Sequence, residues 1–545
     1  MQTDILVVGG GLGGVAAALS AARMGQRVVL TEETDWLGGQ LTAQAVPMDE
    51  HPWIDRFGCT ATYRALRDGV RDYYRRAYPL TAAARYEPDF SPGAALTTRL
   101  SCEPRVALSV IEEMLAPFRA NGLLTVILRC RPESVDVSGN RIRAVTFRDL
   151  EDDGAFTVEA AYMLDATETG DLLPLAGMEY VTGAESAEET GEPHARAGAP
   201  EPLDMQGFTY CFALFYRPDE DHTIDRPGEY DFWRSYQAPF ETGLHLSWKP
   251  REGRAYDYEL FPVPGSGKFS LWQYRRILYA GNFDSGYLNE GVSLINSSHN
   301  DYWLGPIIEV PQEEAARHRR MARELALSTL YWLQTEAPRP DGGTGYPGLA
   351  LHRDYTGTRD GLAKYPYVRE GRRIVSLRRV TELDVGLDAR PDQEAERFPD
   401  SVGIGCYNID LHPTTGGKPS LSIKTRPFQI PLGALLPRDM DNYVAAGKNL
   451  GVTHITNGCY RLHSIEWNIG ESAGALAAFA LERGVDPRSV RHDESHLSDY
   501  QRSLARLGIE LEWPRPAVGT SYYSAVRDDP EWGWGESDRK RGWAF

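Results

Sequence analysis

Residues 4–14 read Asp-Ile-Leu-Val-Val-Gly-Gly-Gly-Leu-Gly-Gly. An apolar run, Ile5 to Val8, enters a glycine turn, and an alanine-rich stretch, Val15 to Met24, leaves it. Few arrangements accommodate that order: a buried strand, a tight turn and a helix packed closely against the strand. The turn fits G-x-G-x-x-G at Gly9, Gly11 and Gly14. The first glycine permits the tight turn, the second lets a pyrophosphate approach the backbone, and the third lets the helix approach the strand. Gly9, Gly11, Leu12, Gly13 and Gly14 are therefore the dinucleotide-binding candidates of this turn, where the helix end offers free N–H groups and partial positive charge. A second strand, Arg27 to Leu30, leads to Glu32 and Glu33. Glu32 lies where an acid should accept hydrogen bonds from a ribose 2′-OH. A carboxylate there favours an unphosphorylated ribose, hence FAD or NAD over NADP.

The chain has 545 residues, enough for two or more domains, and its 42% hydrophobic content supplies a sizeable core. A net charge of −19 makes it a poor binder of nucleic acid or anionic membrane. The six cysteines are dispersed with no C-x-x-C pair, which argues against zinc, iron–sulfur or dithiol chemistry and suits a reducing compartment. The nucleotide fold begins at once, so no signal peptide is expected. No apolar run is long enough to span a membrane. The expected location is the cytoplasm, with no metal, nucleic-acid or membrane partner.

The expected class is α/β: a discontinuous Rossmann-type domain, a parallel sheet with a β-meander, plus an inserted mixed α+β substrate domain. Residues 1–180 form its first part. Pro104 to Ala120 reads as a helix, and Thr125 to Leu128, Ser134 to Val137, Arg141 to Phe147 and Phe156 to Leu164 as strands, with a hairpin turn at 138–140. Residues 181–430, rich in Tyr, Trp, Pro and charge, form the substrate domain, with one long helix at Glu313 to Thr335. Thr425 to Leu432 reads as a return strand. Residues 431–485 complete the first domain through a strand at Asn442 to Ala446 and a helix from Ile469 to Arg483. Residues 486–545, with Trp513, Trp532, Trp534 and Trp543, form a tail packed on the body.

Four segments together resemble the FAD-dependent oxidoreductases with a glutathione-reductase-type FAD domain, relatives of heterodisulfide-reductase and succinate-dehydrogenase-like flavoproteins. They are 7–32, LGGQLTAQ at 37–44, DATETGDLLPLAG at 165–177, and 442–481. The resemblance implies that Gly38, Gly39, Gln40, Leu41 and Thr42 pass along the FAD pyrophosphate and isoalloxazine. It places the Val135 backbone at the adenine, Ala166 and Thr167 beneath the pyrophosphate, and Gly447, Lys448 and Asn449 at the ribityl–phosphate region. Gly470 is to begin a helix aimed at the flavin pyrimidine edge, where its dipole would stabilise negative charge. The family's Ala-Thr-Gly run is stretched here to Ala166-Thr167-Glu168-Thr169-Gly170.

No second G-x-G-x-x-G follows an expected strand, so an organic substrate is expected to reduce the flavin directly. Two loops should face the flavin: Asp49, Glu50 and His51, and the stretch from His454 to Glu466. His51, His454 and His463 are candidate bases because imidazole titrates near neutrality. Cys459 and Arg461 complete the catalytic candidates. Tyr365, Tyr367, Arg369, Arg372 and Arg373 read either as a pocket for an anionic substrate or as salt bridges to acidic neighbours. His299, Asn300 and Asp301 form a further polar cluster. The first reading is a dehydrogenase or oxidase acting on a small or medium organic molecule, with oxygen or another acceptor reoxidising the flavin. The alternatives are a monooxygenase or reductase using NAD(P)H, and a flavin-binding assembly protein without turnover. The sequence does not specify the oligomeric state.

Overall fold

The computed structural model describes residues 1–249, 257–288 and 290–514. Gln2–Val8 (β1), Leu12–Arg23 (α1) and Val28–Thr31 (β2) form the opening unit. β1 and β2 pair in parallel, Ile5 opposite Val28 and Val8 opposite Thr31. The apolar side chains of both strands are buried on both faces, so they read as continuous apolar runs rather than alternating ones. Ala61–Ala77 (α2) and Pro104–Ala120 (α3) follow, and Leu124–Ile127 (β3) joins the sheet parallel to β2. Cys130–Ser138 (β4), Arg141–Asp149 (β5) and Ala155–Asp165 (β6) make the antiparallel meander. The expected hairpin turn holds Gly139 at φ +59. β6 then returns parallel to β1, with Val8 opposite Asp165.

The inserted region builds a separate antiparallel sheet from Phe212–Tyr216 (β7), Arg276–Leu278 (β8), Val292–Ile295 (β9) and, after the long helix Gln312–Thr335 (α4), Leu349–Leu351 (β10). Leu325, Leu330, Trp332 and Leu333 of α4 pack with Phe212 and Leu214 of β7 into a second core. Ser401–Gly405 (β11) and Phe428–Pro431 (β12) pair antiparallel. The expected return strand thus forms after Pro427 but lies outside the parallel sheet. Tyr443–Ala445 (β13) is the strand that comes back, parallel to β6. His454–Tyr460 (α5), His463–Arg483 (α6) and Glu494–Leu507 (α7) complete the described chain.

Two readings need correction. α2 occupies a segment for which the sequence reading proposed no element, although its signals are ordinary. The Thr60 hydroxyl caps it by accepting from Tyr63 N, and Tyr63, Leu66, Val70 and Tyr74 make its buried stripe. The last large helix begins at His463, not Ile469, and ends as expected before Gly484 at φ +65. Gly470 is consequently in the helix interior. A Cβ there would lie 1.9 Å from the Gly13 carbonyl oxygen, and one at Gly474 would lie 2.1 Å from that of Ala17. These glycines let α6 cross α1 at backbone contact. In the tail, Trp513 packs with Trp53 and Phe57, whereas Trp532, Trp534 and Trp543 lie outside the described residues.

Candidate functional site

The glycines of the opening turn divide by what each faces. A Cβ at Gly9 (φ +97) would lie 2.4 Å from the Ala166 carbonyl oxygen, at Gly13 2.0 Å from that of Ala446, and at Gly14 1.8 Å from that of Gly9. All three distances end on backbone, so these glycines are fixed by packing. At Gly11 the nearest atoms are carboxylate tips, Glu168 at 3.0 Å and Glu466 at 3.4 Å. That glycine opens onto a cradle filled only by movable side chains. Glu466 Oε1 lies 3.4 Å from Gly13 N, placing an anionic group at the α1 N-terminus, which has no side-chain cap of its own. The strip Gly38 to Thr42 runs beside the turn, with Gly38 N donating to the Gly10 carbonyl at 2.7 Å.

Glu32 is fixed by three donors at 2.8 Å: Gly10 N, Thr34 N and the Thr34 hydroxyl. Loss of solvent around its carboxyl pushes its pKa up to about 7, so ribose hydroxyls would meet an acceptor short of hydrogen bonds. Glu32 and Glu33 line a cavity with Gly11, Thr167, Cys130 and Pro132. Ala166 and Gly39 line it as well. Val135 does not. It pairs with Val145 farther along the meander, and the first residue of β4 is the one that reaches Glu32, through Cys130 N to its carbonyl at 3.0 Å. Tyr365, expected at the substrate, lines this same cofactor cavity.

Beyond the turn, Asn449 donates to the Asp165 carbonyl and to the Tyr443 hydroxyl, both at 3.0 Å. Lys448 is ion-paired with Glu168, the residue inserted in the stretched motif. Gln40 donates to Glu466 and, at 3.1 Å, to the Arg461 carbonyl. Burial pushes the Glu466 carboxyl up to about 7 against the pull of Lys448. Gln40 Oε1, Gln44 Oε1, Asn449 Oδ1 and Arg461 Nε are buried without hydrogen-bond partners. Buried polar atoms are normally satisfied, and these are the donor and acceptor types that ribityl hydroxyls and a flavin's polar edge would satisfy. With the helix end for a pyrophosphate and Glu32 for a ribose, the donor set fits FAD.

The sequence profile of the family described as FAD dependent oxidoreductase matches residues 4–504. The chain belongs to this family. It is an FAD-dependent oxidoreductase and uses FAD, which sets aside the reading of a flavin carrier without turnover. No curated protein matches its sequence. Among solved structures, p-nitrophenol 4-monooxygenase PnpA from Pseudomonas putida DLL-E4 is 12% identical, with 99% of this chain and 93% of that one covered and a TM-score of 0.37. A geranylgeranyl bacteriochlorophyll reductase-like protein from Thermoplasma acidophilum is also 12% identical, with 93% and 83% covered and a TM-score of 0.31. The rebeccamycin biosynthetic enzyme RebC is 18% identical over 40% of this chain, a match that spans only 38% of RebC, with a TM-score of 0.24. At these scores the likenesses carry no argument about the reaction.

The oxidoreductase puts its three candidate histidines in different settings. His463 accepts from Asp49 N through Nδ1 and donates through Nε2 to the Val46 carbonyl, both at 3.1 Å. Both nitrogens are committed to holding loop 46–49. His51 donates to the Gly58 carbonyl at 2.9 Å and packs edge-on to Trp513, with ring centroids 5.2 Å apart. Burial pushes both pKa values down to about 4. Each is neutral when folded but protonates at ordinary pH when unfolded, so stability from this source is complete above about pH 6.5 and is lost as pH falls toward 4. Replacing His463 with Gln removes its share. The stability difference between wild type and variant, read from urea midpoints, should shrink by about 3 kcal/mol between pH 7 and pH 4. A constant difference would show that His463 is not buried neutral.

His454 differs. Both Glu370 oxygens lie at 2.9 and 3.0 Å from its Nδ1. Burial opposes its charge, but the Glu370 carboxylate outweighs burial and raises its pKa above the ordinary value. Burial likewise works against the Glu370 carboxylate, yet His454 and Arg373 hold it well below the usual range. Cys459 donates to the Thr456 carbonyl, and burial pushes its thiol far up, so it is unreactive. Arg461 donates to the Tyr367 hydroxyl at 2.6 Å and the Asp410 carbonyl at 2.9 Å. Of the first loop's acids, Asp49 is gripped by Arg275, and Glu50 by Arg67 and the Tyr63 hydroxyl.

The arginine run at 369–373 makes no anion pocket among the described residues. Arg369 pairs with Asp301 at 2.9 Å and lies over the Tyr367 ring; Arg372 pairs with Glu309 and Asp171; Arg373 pairs with Glu370 and Glu185. Each guanidinium already has carboxylate partners, so the salt-bridge alternative holds. Asp301 also holds His412 Nδ1 at 2.6 Å, which gives that polar cluster a structural role. The sequence reading passed over Glu370, although an acid three residues before Arg373 was the available signal. It also passed over Glu185 and Glu192, for which no local signal exists.

Proposed function

We propose that the enzyme is a dehydrogenase or oxidase that takes hydride from a small or medium organic substrate in the cytoplasm, with oxygen or another acceptor reoxidising the cofactor. Kinship within the family to heterodisulfide-reductase and succinate-dehydrogenase-like flavoproteins belongs to the same proposal and rests on the four motifs. The cellular location is supported by six cysteines that are all buried and unpaired and by the absence, among the described residues, of any helix long and apolar enough to cross a membrane.

One observation carries the reading: a cavity of about 400 Å3 between the inserted region and the start of α5, with His454 in its wall. That volume suits a small organic molecule. α5 connects it to the cofactor strip, because His454 is the first residue of the helix and Arg461, just past its end, gives its carbonyl to Gln40. FAD, when bound, supplies the two-electron acceptor. The chain supplies the pocket and the proton chemistry. With Nδ1 committed to Glu370, Nε2 is the ring nitrogen left for a substrate. At neutral pH it carries a proton and orients a substrate by donating it; above its raised pKa it can accept one.

Substrate oxidation that needs proton removal should therefore rise with pH through a pKa above the ordinary histidine value and then level off. His454→Gln should abolish that rise and lower the plateau by about 100-fold; an unchanged profile would remove His454 from the reaction. The reading itself is tested by anaerobic absorbance spectra of the holoenzyme with alcohols, amines, acids and NAD(P)H. Bleaching by an organic compound supports it. Bleaching by NAD(P)H alone would replace it with the monooxygenase or reductase reading.

A further inference from the structure

The same cavity carries an electrostatic asymmetry that points to its ligand. Three carboxylates stand in its wall, Glu185, Glu192 and Asp204. Glu185 is neutralised by Arg373 and accepts from His454 N at 2.8 Å. The other two make no ion pair among the described residues. Asp204, 3% exposed, accepts from Gly416 N at 2.8 Å. Glu192 is 2% exposed. Its Oε1 accepts from Glu382 N and from the Thr453 hydroxyl, both at 2.7 Å, whereas its Oε2 has no hydrogen-bond partner. Burial and the like charge of Glu185 raise its pKa. A buried carboxylate oxygen left bare beside a cavity is costly unless a partner arrives.

The buried cations nearby are already committed, His454 to Glu370 and Arg373 to Glu370 and Glu185. At the rim, His194 is held by Glu382 and Arg196 by Glu201, and Lys418 is exposed. The uncommitted charge of the interior is therefore negative and fixed at Glu192 and Asp204. Leu411, Leu421 and Ile455 supply an apolar wall. We propose that this cavity binds an organic cation, an aliphatic ammonium whose charged end meets Glu192 Oε2 and whose chain lies on that wall. The inference rests on the reading of the cavity as the substrate site and narrows its substrate to amines.

The test is calorimetric titration of the oxidised holoenzyme with n-butylammonium, 1-butanol and butyrate. Saturable binding of n-butylammonium, about tenfold or more tighter than either control, is expected from a charge-assisted hydrogen bond. Glu192→Gln keeps the Oε1 acceptor but removes the charge, and should weaken the ammonium about tenfold while leaving 1-butanol unchanged. Butyrate binding as tightly as the ammonium, or the absence of saturable ammonium binding, overturns the proposal, and neither outcome depends on the variant folding. Because binding is read without turnover, the two readings fail separately. An ammonium that binds but never bleaches the flavin would sink the dehydrogenase reading alone. Bleaching only by alcohols or acids would sink the amine proposal alone.

Discussion

Gly13→Ala should yield a colourless protein destabilised by about 3 kcal/mol or more. The new Cβ would sit 2.0 Å from the Ala446 carbonyl oxygen, and neither backbone can yield alone. α1 is wedged between the sheet and α6, which itself touches Gly13 through Gly470. Moving α1 outward displaces the N–H groups that face the cradle, so cofactor and stability are lost together. Gly11→Val separates the two effects. Gly11 has φ −62 and ψ −175, which valine adopts readily, and its Cβ first meets the tips of Glu168 and Glu466. The fold should survive while FAD is lost. Gly25→Ala is the control: it has φ +85 but nothing within 4 Å, so it should cost about 1–2 kcal/mol and keep the flavin. Visible flavin absorbance and urea midpoints on the four proteins decide the matter. A yellow Gly13→Ala protein of unchanged midpoint would refute the packing account.

Arg373→Met should destabilise the enzyme by about 3–5 kcal/mol. Arg373 is fully buried and bridges Glu370 and Glu185, which are themselves 3% and 6% exposed. Removing the guanidinium leaves two carboxylates desolvated and facing each other, with only His454 to answer one of them. The energetic penalty lies in those orphaned charges rather than in the lost attraction. The double variant Arg373→Met, Glu185→Gln should therefore recover part of the loss. Urea midpoints of the single and double variants measure this directly. A loss below about 1 kcal/mol in the single variant, the range of a surface pair, would mean the cluster is wetter than its burial implies.

These two predictions draw on different levels of the molecule. The opening unit could be read from eleven consecutive residues, because a parallel strand buried on both faces must be apolar throughout and a turn against a phosphate must be glycine. The helices Pro104–Ala120 and Gln312–Thr335 were legible from periodicity, since burial of one helix face is written every three or four residues. The start of α6 was misplaced because its first turn, His463 to Trp467, is buried all round and shows no contrasting face. Val135 was misplaced because the register of a meander is set by pairing rather than by the strand's own residues.

The sequence by itself determined the nucleotide-binding unit, the acid at Glu32 and the cofactor, all local properties of chain direction, steric freedom and a helix end. Only the tertiary structure decided what the charged residues do. Arg369, Arg372 and Arg373 look the same in sequence, yet each is committed to carboxylates from remote segments. His454 meets Glu370 across 84 residues of chain, and Arg373 meets Glu185 across 188. Ion pairing depends on distance in space and on how much solvent packing removes, and neither quantity is carried by spacing along the chain.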